Sequence, residues 1–159
     1  MKKWLVGIWV LVVLSAFLKV SDIRGTFFSA FSSGSVEKID AAIAVCEKNA
    51  DAMATAYRGA LLMRKADLIR KGPGEKLKLF KEGHAELENL ISAQPDNIEL
   101  RFIRLCIQEK APKVVRYRGQ IQEDKALLIE HFSSLPQDVR NYVRDYAKTS
   151  EFLTLDELK

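Results

Sequence analysis

From Ser35 to the end of the chain, apolar residues recur every three or four positions, and this spacing constrains the fold more than any other feature. No stretch of strand length alternates between apolar and polar residues. A period of 3.6 residues places one helix face against a core, whereas a half-buried strand needs a period of two. The sequence therefore predicts an all-α domain over residues 35–159, with about six helices packed as antiparallel hairpins or as an irregular bundle.

The first helical region, residues 35–71, fits either one helix or two. Its apolar stripe continues without a break, but a single helix of this length would extend about 55 Å at 1.5 Å per residue. Such a helix is too long for a compact domain of this size. Asn49 can close one helix and Asp51 can cap the next. We therefore predict a turn at residues 49–51.

Proline and glycine mark the ends of the next two helices. Glycines flank Pro73, so the second helix ends before it and a third covers about residues 75–93. Pro95 then closes the third helix. Asp96 is predicted to cap a fourth helix that reaches about residue 109, because a glutamate stands three positions later.

Two further helices are predicted in the last third of the chain. The fifth begins at Ala111-Pro112, with Tyr117 and Leu128 on its apolar stripe. The sixth begins at the Ser133–Pro136 turn.

The first 20 residues differ from the rest of the chain. Two lysines follow Met1, residues 4–18 carry no charge, and Lys19 comes next. This pattern is typical of a secretory signal. Fifteen residues are short for a permanent span, which needs about 20, but no small-x-small cleavage site follows the run. Residues 1–20 are therefore predicted to be a signal peptide or an uncleaved signal anchor; a buried core helix is disfavoured because the run is apolar on every face.

These features predict an extracytoplasmic protein, periplasmic or secreted, that contacts the membrane through residues 4–18 if the segment is not cleaved. Residues 21–34 contain two glycines and five serines or threonines around Phe27, Phe28 and Phe31. They are predicted to form a linker or a loosely docked first helix.

The net charge of +4 does not indicate nucleic-acid binding. Three of the lysines lie in the first 20 residues, where there is no acidic residue. The rest of the chain has 22 basic residues against 21 acidic ones. The basic character therefore belongs largely to the leader, and no nucleic-acid partner is predicted.

No motif for catalysis, a metal or a cofactor is present. Neither His84 nor His131 stands beside a nucleophile motif, and no Cys-x-x-Cys or His-Glu-x-x-His occurs. Cys46 and Cys106 lie on apolar stripes of different helices, which favours buried free thiols over a disulfide formed in an oxidising compartment. The chain is therefore predicted not to be an enzyme and to hold no cofactor.

The candidate binding residues form a basic cluster. Arg101 and Arg104 share a helix face, and Arg118 follows Tyr117. Such a patch suits an anionic ligand, a lipid headgroup or an acidic partner. The alternative is structural, because Arg104 stands among apolar residues and would then pair with Asp124 as a strut between helices.

Four residues in the third predicted helix and the turn after it share a spacing known from a repeat family: Gly83, Leu87, Leu90 and Pro95. Tetratricopeptide repeats place a small residue, an aromatic, a small residue and a proline at these offsets. Residues 75–97 therefore resemble this family, which implies stacked antiparallel helix hairpins and a protein-binding concave face. The stretch 97–124 is also similar to uncharacterised exported helical proteins of bacteria, a resemblance that implies no activity.

Two functions follow as hypotheses. The first is an exported interaction or scaffold module that binds a protein or peptide in a groove open at both ends. The second is an extracytoplasmic small-ligand or lipid-binding protein with an enclosed apolar pocket, in which Arg101, Arg104 and Tyr117 supply the polar side.

Overall fold

The computed structural model describes residues 23–158, and the predicted signal or anchor segment lies outside these residues. Within the described part the chain is helical and contains no strand, which confirms the all-α class. Residues 23–158 contain seven α-helices: six lie in residues 36–147, in agreement with the six or so predicted for 35–159, and one precedes them. They are 23–33 (α1), Val36–Glu47 (α2), Ala52–Leu68 (α3), Pro73–Ala93 (α4), Ile98–Lys110 (α5), Ile121–His131 (α6) and Gln137–Ala147 (α7).

The predicted turn at residues 49–51 is confirmed. Helix α2 ends at Glu47, and Asp51 caps α3 by accepting hydrogen bonds from the backbone N–H groups of Met53 at 2.7 Å and Ala54 at 3.1 Å. A side-chain acceptor at this position satisfies amides that have no partner within the helix. Two helices of ordinary length therefore replace one that would have been too long.

Helices α3 and α4 form an antiparallel hairpin joined by residues 69–72. Gly59 of α3 and Gly83 of α4 lie opposite each other, and a Cβ placed on Gly83 would be 2.2 Å from the Gly59 carbonyl oxygen. The two backbones can approach this closely only because neither residue has a side chain.

Helix α5 is the central helix, because each of its residues from Ile98 to Glu109 is buried. Its cap differs from the prediction. The side chain of Asn97, not Asp96, accepts from the backbone N–H of Leu100. Both residue types cap helices well, so the one-residue shift reflects how the turn after Pro95 is placed.

The prediction that a fifth helix begins at Ala111-Pro112 is wrong. A short 3₁₀ turn, Lys113–Val115, follows α5, and Arg116 then takes a left-handed conformation with φ 52°. This breaks the helical path, and α6 begins only at Ile121. Tyr117 is buried in the intervening loop against the rings of Phe80 and His84. Tyr117 is therefore buried because it packs on α4, and not because it lies on the apolar stripe of a fifth helix.

Helix α1 packs against three other helices. The ring of Phe27 stacks on Tyr57 of α3 at 4.4 Å between centroids, and Phe28 stacks on Tyr142 of α7 at 4.3 Å and faces Phe102 of α5. Phe27 and Phe28 are both buried. Residues 23–33, expected to be a linker or a loosely docked helix, are thus part of the helical domain and not a linker.

Candidate functional site

The basic cluster is largely internal. Arg104 binds Asp124 with two hydrogen bonds, from Nε to Oδ2 and from Nη2 to Oδ1, both at 2.7 Å. Arg101 donates to the same carboxylate at 3.1 Å and to Glu123 at 3.1 Å. All three residues of the Arg101–Arg104–Asp124 group are buried. The strut that the sequence offered as an alternative is therefore present, and it ties α5 to α6.

Tyr117 joins this group through Glu88 of α4. Its hydroxyl donates to one oxygen of Glu88, and Arg104 Nη1 donates to the other at 2.9 Å. Burial, together with the hydrogen bond to Glu88, raises the pKa of the Tyr117 hydroxyl. Burial alone would lower the pKa of Arg104, but the bonds and charge of Asp124 raise it overall. Both side chains thus stay in their ordinary protonation states.

Arg118 lies apart from that group. Its guanidinium donates to two backbone carbonyl oxygens at the end of α5, that of Glu109 at 2.7 Å and that of Ala111 at 3.2 Å. A cation at this position also interacts favourably with the negative end of the helix dipole. The structure thus brings Arg101, Arg104 and Tyr117 together but not Arg118, and gives each an intramolecular partner. Their role in binding stays a prediction.

A different feature has the geometry of a binding site. A groove of about 640 Å³ runs between α1, α3, α4, α5, the 3₁₀ turn and α7. Aromatic side chains from four of these helices line it: Phe28, Phe31, Phe80, Phe102, Tyr142 and Tyr146. None of the four predicted binding residues lines the groove.

Exposed apolar side chains stand on the rims of the groove. Leu77 of α4 is 46% exposed and Val114 of the 3₁₀ turn is 85% exposed. Of the large hydrophobic residues in the described part of the chain, only these two and Leu155 are exposed, and both line the groove. Exposed apolar surface that continues into a concave apolar site commonly marks a contact with another molecule.

Charged residues border the groove, and its two carboxylates are already paired. Asp67 accepts from Arg64 at 2.6 Å, and Asp145 accepts from Lys148 at 2.6 Å. Lys76 and Lys110 also line the groove. Lys110 contacts Glu109 at 3.3 Å, and Lys76 has no ion pair within residues 23–158.

The cysteine that lines the groove is held as a thiol. Cys106 lines it, but burial and then the charge of Glu109 raise the pKa of this thiol well above its usual value. A thiol is a weak nucleophile compared with a thiolate. Cys46 is likewise buried, which raises its pKa to about 11, and both cysteines are free. No group of metal-binding side chains was found among residues 23–158.

Sequence reasoning missed the groove, although part of its signal was visible. In the sequence, Leu77, Phe80, Leu87 and Ile91 recur at a spacing that puts them on one face of the third predicted helix. Leu87 and Ile91 are indeed buried, but Leu77 is exposed. An apolar stripe that extends beyond the core is the signal that would have indicated a binding face.

None of the helices in the described part of the chain combines the length and the apolar character needed to cross a membrane. Comparison of the chain with protein-family models, with curated proteins and with solved structures gave no match.

Proposed function

We propose that this protein is a non-catalytic interaction module whose groove binds an amphipathic helical segment of a partner protein. The observation that carries the proposal is the continuity between an aromatic floor and exposed apolar rims at Leu77 and Val114. A helix that lays its apolar face into such a groove would cover both floor and rims. Phe31, Phe80, Tyr142 and Tyr146 are partly exposed, and their rings offer contact area at little entropic cost.

A small ligand or lipid would explain the exposed apolar surface around the groove less well than a partner helix does. The volume of about 640 Å³ lies within the usual range for small-molecule sites. A molecule held inside the groove would cover only the side of Val114 that lines it, whereas this side chain is 85% exposed. The one arginine that lines the groove, Arg64, already pairs with Asp67. These facts favour the partner protein over the ligand.

The wider setting is part of the proposal. The α3–α4 hairpin fits the stacked hairpins that the resemblance of residues 75–97 to tetratricopeptide repeats implies. The leader predicted over residues 1–20 would place the module outside the cytosol. Fractionation of cells that produce the full chain tests this location, since full-length material in the soluble cytosolic pool would contradict it.

The groove itself can be tested by photocrosslinking in the cells that produce the protein. A photoreactive amino acid is introduced at Leu77 or Val114, with Leu155 as the matched control. Leu155 is 45% exposed, close to the 46% of Leu77, but does not line the groove. We expect one discrete protein adduct at positions 77 and 114 and none at 155.

Two further measurements test whether the adduct is a helical partner bound in the groove. Mass spectrometry of the adduct should map the crosslink to a segment with apolar residues at helical spacing. The double variant Leu77→Asp/Val114→Asp should lose the partner in co-purification, whereas Leu155→Asp should keep it. Identical adducts at all three positions, or adducts only with lipid, would contradict the proposal.

A further inference from the structure

The charges around the groove are not balanced. Its two carboxylates each have a basic partner at 2.6 Å, and Arg64 is used in one of these pairs. Lys76 has no ion-pair partner among the described residues. The groove therefore carries free positive charge beside its apolar floor.

Lys110 contributes to this excess. Its contact with Glu109 is 3.3 Å long, and its side chain is 54% exposed. The Glu109 carboxylate is meanwhile engaged by Tyr146, by Ser150 Oγ at 2.6 Å and by the backbone N–H of Glu151 at 3.0 Å. Glu109 is thus mainly committed to the C-terminal segment, and the ammonium group of Lys110 stays available to a bound molecule.

We propose, on the basis of the function proposed above, that the partner helix is acidic: carboxylates flank its apolar face and pair with Lys76 and Lys110. The apolar floor supplies most of the affinity, and the two lysines select the partner by charge. The two lysines border the groove from different helices, at the start of α4 and at the end of α5. A helix with acids on both edges of its apolar stripe can meet both.

The same charges disfavour the chain's own apolar segment as the occupant. Residues 4–18 are uncharged, but Lys3 and Lys19 flank them directly. Seating this segment in the groove would bring like charges together and leave Lys76 and Lys110 without partners. An acidic helix of another protein would not repel Lys76 and Lys110.

The test uses the full chain as cells produce it and two synthetic amphipathic peptides of about 18 residues, or five helical turns. Both peptides have the same leucine and phenylalanine face; the polar positions carry glutamate in one and lysine in the other. Fluorescence anisotropy measures their affinities at low and high salt. Two partly exposed ion pairs should make the acidic peptide bind about tenfold more tightly at low salt, with a smaller preference at high salt.

Matched charge reversals then locate the selectivity. Lys76→Glu/Lys110→Glu should abolish or invert the preference. Lys38→Glu/Lys48→Glu changes the net charge equally at two exposed lysines that do not line the groove, and should leave the preference intact. Loss of the preference in both double variants would mean that only overall charge is sensed, which overturns the inference.

The remaining outcomes separate this inference from the function on which it rests. Equal binding of the two peptides, weakened by Leu77→Asp/Val114→Asp, would overturn the acidic partner and leave the groove as a protein-binding site. Binding of neither peptide would overturn both proposals. Tight binding of oleate in that case would assign the groove to a lipid.

Discussion

Gly59 and Gly83 show how single residues fix the distance between two helices. A Cβ on Gly59 would lie 2.6 Å from the Gly83 carbonyl oxygen, and a Cβ on Gly83 would lie 2.2 Å from the Gly59 carbonyl oxygen. In both cases the obstacle is backbone, which cannot move aside as a flexible side chain can. The small residue that the repeat-like spacing marked at position 83 thus has a steric reason, whereas nothing in the local sequence marked Gly59.

Substituting Gly83 by alanine should destabilise the protein, although alanine favours helix. The gain in helix propensity is about 1 kcal/mol, but overpacking against a backbone costs about 3 kcal/mol. We expect the free energy of unfolding in urea to fall by about 2 kcal/mol. Gly74→Ala is the control in the same helix, since nothing lies within 4 Å of its new Cβ. Equal stability of the two variants would contradict the close approach.

Asp124 is the second residue whose role is settled by its contacts. Its side chain is fully buried and holds both Arg101 and Arg104. Replacing Asp124 by asparagine keeps the shape but removes the charge that faces two buried guanidinium groups. We expect the free energy of unfolding to fall by about 3 kcal/mol, in the range for breaking a buried ion pair.

Glu123→Gln is the matched control for this substitution. Glu123 also contacts Arg101 at 3.1 Å, but its side chain is 59% exposed. Because solvent screens such a pair, the free energy of unfolding should fall by less than about 1 kcal/mol. Urea denaturation measures the free energy of unfolding of both variants. A similar decrease in Asp124→Asn and Glu123→Gln would argue against the buried strut.

At the scale of the elements, the two ends of the described chain are held by polar contacts with the central helix α5. Arg24 of α1 binds Glu99 at 3.1 Å, and Tyr57 donates to the same carboxylate. At the other end of α5, Glu109 holds the segment that follows α7, residues 148–158. Both glutamates are buried, so each needs these partners to offset the loss of water.

The C-terminal segment should loosen in acid because of Glu109. Burial raises the pKa of Glu109, but the bonds donated by Ser150, Tyr146 and the Glu151 amide bring it below the ordinary value of 4.5. A lowered pKa means that this stabilisation is complete above pH 4.5 and is lost as the pH falls through the folded-state value. Hydrogen exchange at the Glu151 amide, corrected for intrinsic rates, should show protection that falls in that acidic range.

Two variants test the assignment to Glu109. Glu109→Gln should lower the protection of the Glu151 amide already at neutral pH and reduce its dependence on acid. Glu130→Gln, at an exposed glutamate of α6, should behave like the unchanged protein. If Glu109→Gln retains the full acid response, another carboxylate is responsible.

At the scale of the whole molecule, helix α5 explains both the buried ion network and the groove. Every residue of Ile98–Glu109 is buried, although Glu99, Arg101, Arg104 and Glu109 are charged. A helix covered on all sides must find a partner for each charge, so its neighbours supply Arg24, Asp124 and the C-terminal segment. Another face of the same helix, with Phe102 and Ile103, lines the groove. The residues that looked most like a binding site therefore bind other parts of the chain.

The sequence by itself determined the helical class and most helix ends, because both depend on local physics. The 3.6-residue period selects helices, and Asp51, Pro73 and Pro95 end or begin them through hydrogen bonds and backbone geometry that involve only near neighbours. Local reasoning failed at Tyr117, whose apolar ring packs on a distant helix and not on its own helix stripe.

Only the tertiary structure decided which surfaces are available to a partner. Phe28, Phe80, Phe102 and Tyr142 come from four helices and share one groove, yet nothing near any of them in the chain indicates the other three. Likewise, the charge pattern of a sequence cannot show whether an arginine faces water or a buried aspartate. The partner of Arg104, for example, is Asp124, about 20 residues away in the chain. Helix formation depends on residues close together in the chain, whereas a binding site depends on residues that come together only in the folded structure.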